Sequence, residues 1–127
     1  MAKIRHIAIF TDDPGELAKF YVDVFGMRNT QPLASSAESG SWVFLTDGYM
    51  DVALIAPGEK RGMKKGLNHF GFTVDKEERI AVLDKLKKLG IEARKRPRDR
   101  PYVEDRVTDI HGNAIDISST GLRPQTR

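Results

Sequence analysis

No cysteine occurs in the 127 residues, which excludes a disulfide framework and any thiol chemistry. The sequence also lacks an unbroken apolar run of the roughly eighteen residues that a membrane helix needs. No basic stretch followed by an apolar segment opens it, so a cleavable leader is not expected and a cytoplasmic location is. Charge of one sign is scarce as well: 21 basic residues against 18 acidic ones leave a net charge of +3. The few aromatic residues do not interleave with basic ones and no groove-reading motif is present, so nucleic acid is not an expected partner, and neither is a membrane. What is there, 39% hydrophobic and 31% charged residues, suits one folded domain, residues 1–127, rather than a disordered chain. Two local basic runs stand out, Gly58 to Gly66 (GEKRGMKKG) and Arg94 to Pro101 (RKRPRDRP). Such runs are solvated loops or an anion-attracting rim beside a site.

The chain reads as the same unit twice. Lys3 to Phe10 alternates like a strand and stops at Asp12-Asp13-Pro14. Asp13 is placed to cap a helix, with Pro14 first and Glu16 third in it. Leu17, Phe20, Tyr21, Val24 and Phe25 follow at helical spacing, and Gly26 ends the run. Shorter strands are expected at Arg28–Ala34, Trp42–Thr46 and Asp51–Ala56. After a linker, 57–66, the pattern recurs. Leu67–Val74 is a strand, Asp75 and Glu78 repeat the capping pair, Ile80, Leu83, Leu86 and Leu89 the helical stripe, and Gly90 the stop. Strands near Ile91–Lys95, Tyr102–Thr108 and Asn113–Ser118 complete it. His6 and His69 are 63 residues apart, the capping acids 62 and the glycine stops 64. An offset this constant indicates two modules, 3–56 and 67–118, each β-α-β-β-β.

Side chains alternate across a strand. Ile7 and Ile9 belong against the first helix and Phe70, Phe72 and Val74 against the second, which turns His6 and His69 to the opposite face. Ile115 and Ile117 likewise leave Ala114, Asp116 and Ser118 on that face. His, Ala, Gly, Asp and Ser are too small to fill a core at native density, so a hollow is expected around His6, His69 and Asp116. Taken singly, each histidine reads as a hydrogen-bonded core residue and the aspartate as a turn cap. Their shared face and repeat relation point instead to two imidazoles and a carboxylate converging on a divalent metal, with open positions for water or substrate. His111, in the turn itself, reads as an exposed loop residue.

HIAIFTDDPGELAKFYVDVFGM, NHFGFTVD and DIHGNAIDIS together resemble the vicinal oxygen chelate superfamily, also called the glyoxalase, bleomycin resistance and extradiol dioxygenase superfamily, over Lys3 to Ser118. The resemblance implies an α+β fold in which two tandem βαβββ modules form a cup-shaped mixed sheet with the helices outside. It implies one divalent ion, Fe, Mn, Ni, Co or Zn, on His6, His69 and Asp116. The family commonly has glutamate where this chain has Asp116. Glyoxalase I and methylmalonyl-CoA epimerase also use a fourth ligand, whose repeat-equivalent position here is Ala53, with Asp51 two residues away on the same face. Three ligands resemble the thiol transferases and extradiol dioxygenases of the superfamily more closely. The expected function is a small glyoxalase-like, metal-dependent enzyme, a lyase or isomerase, transferase or dioxygenase, acting on a small oxygenated, anionic substrate. The alternative is a metal-free, ligand-sequestering protein of the bleomycin resistance type. Its expected partners are the small molecule and a second copy of the chain. Tyr102 and the arginines from Arg94 to Arg106 are candidates for an acid or an anion clamp, and no general base is assigned.

Overall fold

The structure is a computed structural model and describes residues 1–37, 39–58, 64–95 and 104–119. The chain is α+β. Its element order is β1 (Lys3–Phe10), α1 (Pro14–Phe25), β2 (Arg28–Ser36), β3 (Gly40–Thr46), β4 (Asp51–Ala56), β5 (Gly66–Thr73), α2 (Lys76–Lys88), β6 (Arg94–Lys95), β7 (Asp105–Thr108) and β8 (Ala114–Ser118). β-α-β-β-β therefore occurs twice, and the strand pairing is mixed. β5 pairs with β8 in parallel, whereas β2–β3, β3–β4, β6–β7 and β7–β8 are antiparallel.

Two compact units divide the chain. One runs from Ile7 to Asn68, with strand order β2-β3-β4-β1. Its core is Ala18, Val43, Leu45, Val52 and Leu54, joined by Ile7, Ile9, Leu17, Tyr21, Val22 and Met27. Asp13 caps α1 by accepting from the Glu16 N–H at 3.0 Å, with Pro14 at the first helical position. At the other end Gly26 adopts φ 72°, a left-handed conformation that glycine reaches without a Cβ penalty. Ile7 and Ile9 pack toward this helix as their alternation requires. The helical stripe differs from the expected one. Phe20, Val24 and Phe25 are exposed, and α1 meets the strands through Leu17, Ala18, Tyr21 and Val22. The sheet-facing arc is the one that carries Ala18, because a small residue lets the helix approach closely, and Phe20 and Phe25 are turned away.

The other unit comprises Met1–His6 and the described residues from His69 onward, with strand order β1-β5-β8-β7-β6. Val74, Val107 and Ile117 form its core, supported by Ala2, Val82, Leu83, Leu86, Ile91 and Ile115. Here the capping box is complete: Glu78 N–H donates to Asp75 Oδ1 at 2.7 Å, and Asp75 N–H donates to Glu78 Oε1 at 3.0 Å. Of the three side chains expected against α2, Val74 joins the core, while Phe70 and Phe72 are half-buried and stack edge to face on one another at 5.8 Å. Ile80 and Leu89 are exposed, and Leu83 and Leu86 carry the helix contact. On β7 the same alternation splits neighbours: Val107 enters the core, Asp105 pairs with Arg79 of α2 at 2.7 Å, and Arg106, between them, is turned to the opposite face.

The loop before β8 explains the DIHGN segment. Asp109 Oδ1 accepts from the His111 N–H at 2.8 Å and the Asn113 N–H at 3.0 Å, while Oδ2 accepts from the Asn113 amide at 2.8 Å. The side-chain bond from Asn113 and these backbone bonds hold its carboxyl below the usual range. His111 is exposed in this turn, as expected. With the turn fixed, the antiparallel register places Thr108 opposite Ala114 and Arg106 opposite Asp116.

Candidate metal centre

His6, His69 and Asp116 come from β1, β5 and β8 of the same unit, and all three are buried, at 2%, 8% and 2% exposure. Their donor atoms lie within 4.8 Å of one another. Asp116 Oδ2 is 3.0 Å from His69 Nε2 and 3.6 Å from His6 Nε2. The two rings meet edge to face, 5.8 Å between centroids and 86° between planes. Parallel pairing of β5 with β8 puts Gly71 beside Asp116, and the absence of a side chain at Gly71 makes room for the His6 ring. A Cβ there would lie 1.9 Å from His6 Cε1, so no larger residue fits while His6 keeps its place.

A fourth group, outside the expected ligand set but among the arginines named as candidate anion clamps, joins the cluster. Arg106, 6% exposed, donates from Nε to Asp116 Oδ1, and its Nη2 lies 3.3 Å from both His69 Nδ1 and Nε2. Burial alone pushes the Asp116 carboxyl up, but the nitrogens of His6, His69 and Arg106 facing it hold it far below the usual carboxylate range. For His69, burial holds the ring's pKa down, and the neighbouring Asp116 carboxylate only partly offsets that. His69 is therefore a neutral imidazole near neutral pH, the protonation state that ligates metals.

The three side chains are a group that could hold a divalent ion. Metal–ligand bonds of about 2.0–2.2 Å to imidazole nitrogen and carboxylate oxygen place adjacent donors about 3.0–3.4 Å apart. The two distances from Asp116 Oδ2 bracket that range. Among the described residues His6 Nε2 has no hydrogen-bond partner although it is buried. A buried nitrogen aimed at a carboxylate that it does not reach is costly unless a further group takes its lone pair.

Other sequence candidates lie elsewhere. Arg94 pairs in register with Arg106 and so shares its face, in a row that continues to Asp116 and Gly71. Residues 96–101 of the second basic run and Tyr102 lie outside the described residues, as do 59–63 of the first run. Lys65 is tied to Asp12 at 2.5 Å. Ala53, on β4 of the other unit, lies opposite Phe44, just as Asp116 lies opposite Arg106, and Asp51 is buried opposite Thr46.

The family model for the Glyoxalase/Bleomycin resistance protein/Dioxygenase superfamily matches residues 3–117. The chain belongs to this superfamily. No curated protein matches it. Among solved structures, a hypothetical protein from Bacillus halodurans is similar at a TM-score of 0.71 and 16% identity, over 92% of this chain and 93% of that one. Methylmalonyl-CoA epimerase from Mycobacterium tuberculosis is similar at 0.67 and 19%, over 91% and 85%. A Streptomyces coelicolor methylmalonyl-CoA epimerase in complex with 2-nitronate-propionyl-CoA is similar at 0.69 and 19%, over 91% and 92%. At these identities the likeness is one of fold, and it extends across nearly the whole chain. Glyoxalase-superfamily membership agrees with the resemblance of the HIAIF, NHFGF and DIHGN segments. The superfamily includes enzymes, and the His6–His69–Asp116 cluster is a group that can bind a metal.

Proposed function

We propose that this glyoxalase-superfamily chain is a metal-dependent enzyme in which His6 Nε2, His69 Nε2 and Asp116 Oδ2 hold one divalent ion, Fe, Mn, Ni, Co or Zn. When bound, such an ion supplies a Lewis acid that stabilises developing negative charge on substrate oxygen. The observation that carries this reading is the buried His6 Nε2, which among the described residues has no hydrogen-bond partner, beside two further donors. The chain's own residues do the rest. Gly71 admits the His6 ring, Arg106 holds Asp116 by one oxygen so that the other faces the histidines, and burial keeps the His69 ring uncharged, so that an ion has one proton rather than two to displace there. Arg94 extends the positive row beyond Arg106 and favours a small, oxygenated, anionic substrate. A cytoplasmic homodimer is part of the same proposal.

One observation favours a second reading. Arg106 already neutralises Asp116, which suits a metal-free protein that sequesters an anionic ligand. Metal analysis of protein purified without a histidine tag separates the two, followed by thermal-shift screening with divalent metals and with vicinal-oxygen compounds. The enzyme reading expects one ion per chain and a metal-dependent rise in melting temperature. That rise should be lost alike in His6→Ala, His69→Ala and Asp116→Ala. Protein with no bound metal and no stabilisation by any of the five ions would leave the sequestering reading in its place.

A further inference from the structure

A carboxylate accepts hydrogen bonds and cannot donate them, so the 3.0 Å contact between Asp116 Oδ2 and His69 Nε2 requires the ring proton on Nε2. Arg106 Nη2 lies 3.3 Å from both nitrogens of the same ring and so stands against it rather than on one lone pair. Arg106 Nε donates to the remaining oxygen, Asp116 Oδ1. Arg106 and Asp116 thus form a buried ion pair whose charges sum to zero with no metal present, and His69 donates to its second carboxylate oxygen. His6 Nε2 is farther from that carboxylate, at 3.6 Å, and among the described residues has no hydrogen-bond partner. An ion on His69 Nε2 has to replace that proton, break the bond to Asp116 and stand beside a fixed guanidinium in a buried site, where charges act on one another far more strongly than in water.

We propose that Arg106 is a built-in counter-cation that competes with the divalent ion for Asp116, lowering metal affinity while keeping the metal-free site folded. This rests on the reading of His6, His69 and Asp116 as metal ligands. Arg106 is a positioning residue in this role. Its fork keeps the carboxylate oriented, and its charge sets how much free metal the site needs before it loads. Arginine suits both tasks because its planar donors reach Asp116 and His69 together and its charge is permanent.

The test compares Co²⁺ and Zn²⁺ affinities of wild type, Arg106→Gln and Arg106→Lys, by competition with a chromophoric chelator and by the visible spectrum of bound Co²⁺. Glutamine can still donate to Asp116 without the charge. Arg106→Gln is expected to bind both ions at least about 100-fold tighter, the scale on which an unpaired buried charge seeks a partner. Its metal-free form should melt lower than wild type, and it should gain more from added metal. Arg106→Lys, which keeps the charge but loses the fork, should fall between the two. Wild type that binds metal while Arg106→Gln binds equally or more weakly would overturn the inference and leave the metal reading standing. Binding by the variant alone would support it outright. Binding by none of the three would overturn both readings. Should Arg106→Gln fold only with metal, that supports the proposal. Should it not fold at all, Arg106→Lys decides, and an affinity no tighter than wild type would refute it.

Discussion

Replacing Gly71 with alanine tests the site through one methyl group. Its backbone is outside the positive-φ region, so alanine is not strained by conformation. The added Cβ would stand 1.9 Å from His6 Cε1, where ordinary contact begins at 3.4 Å. The ring must retreat by about 1.5 Å, several times the ±0.2 Å tolerance of a metal–ligand bond. The ring is buried, so the retreat is an overpacking strain of about 1–3 kcal/mol. The loss of unfolded-state freedom on Gly→Ala returns about 0.4–1 kcal/mol. A net cost of about 1–2 kcal/mol lowers the melting temperature by about 3–10 °C in a domain of this size. Metal affinity, measured by calorimetry, should fall by more than about 100-fold, beyond the loss typical of disturbing a ligand's supporting partner. In a His6→Ala background the clash no longer exists, so the same substitution should become stabilising by about 0.4–1 kcal/mol. An equal penalty in both backgrounds, or wild-type metal affinity in Gly71→Ala, would refute the reasoning.

Acid should destabilise the metal-free protein in two stages. His69 is held below its unfolded value of about 6.5, so the unfolded chain takes that proton first and stability declines as pH falls below about 6.5. Asp116 is held below its unfolded value of about 3.9, so its contribution is complete above that pH and is lost progressively beneath it. A melting temperature that stays flat or rises between about pH 7 and pH 4 would contradict this. Asp75→Ala removes one half of the α2 capping box and should cost about 1 kcal/mol, visible as a lower thermal midpoint with metal affinity unchanged. An unshifted midpoint would show that the cap does not hold this helix. Arg94→Gln should weaken anionic ligands more than neutral analogues and flatten their salt dependence between about 0.02 and 0.3 M. Equal sensitivity of both ligand kinds would return Arg94 to the solvated surface.

Strand alternation alone put His6, His69 and Asp116 on one face, because Ile7, Ile9, Ile115 and Ile117 demanded the other. Arg106 is among the candidate anion clamps, but its burial against Asp116 was not legible, for a physical reason. The residue follows a basic run that reads as solvated loop, and an arginine's burial is invisible in hydropathy. The signal was nevertheless present in the turn: Arg106 and Asp116 stand equally far from the Thr108–Ala114 closure that Asp109 organises, which makes them cross-strand neighbours. The stripe on α1 misled because periodicity gives spacing but not phase. Leu17 and Tyr21 fit two arcs, and the arc bearing Ala18 and Val22 is the one buried against the strands. The strand expected at Ile91–Lys95 shortens to Arg94–Lys95, since Ile91 is drawn into the core under α2 and cannot also extend along a neighbour. Lys3–Phe10 and Asp51–Ala56 were fully legible, bounded by Asp-Pro, Asp-Gly and Pro turn signals that leave no room for slippage.

His6, His69 and Asp116 sit near the start, the middle and the end of the sequence. Contacts so distant along the chain form only after their intervening loops have closed, which is late and slow. A nascent chain still lacking β8 has no third donor to offer. Under the proposed metal reading, an ion at this site would act as a lock turned after the last strand is in place rather than as an early template, and its stabilising effect should appear in slower unfolding more than in faster folding.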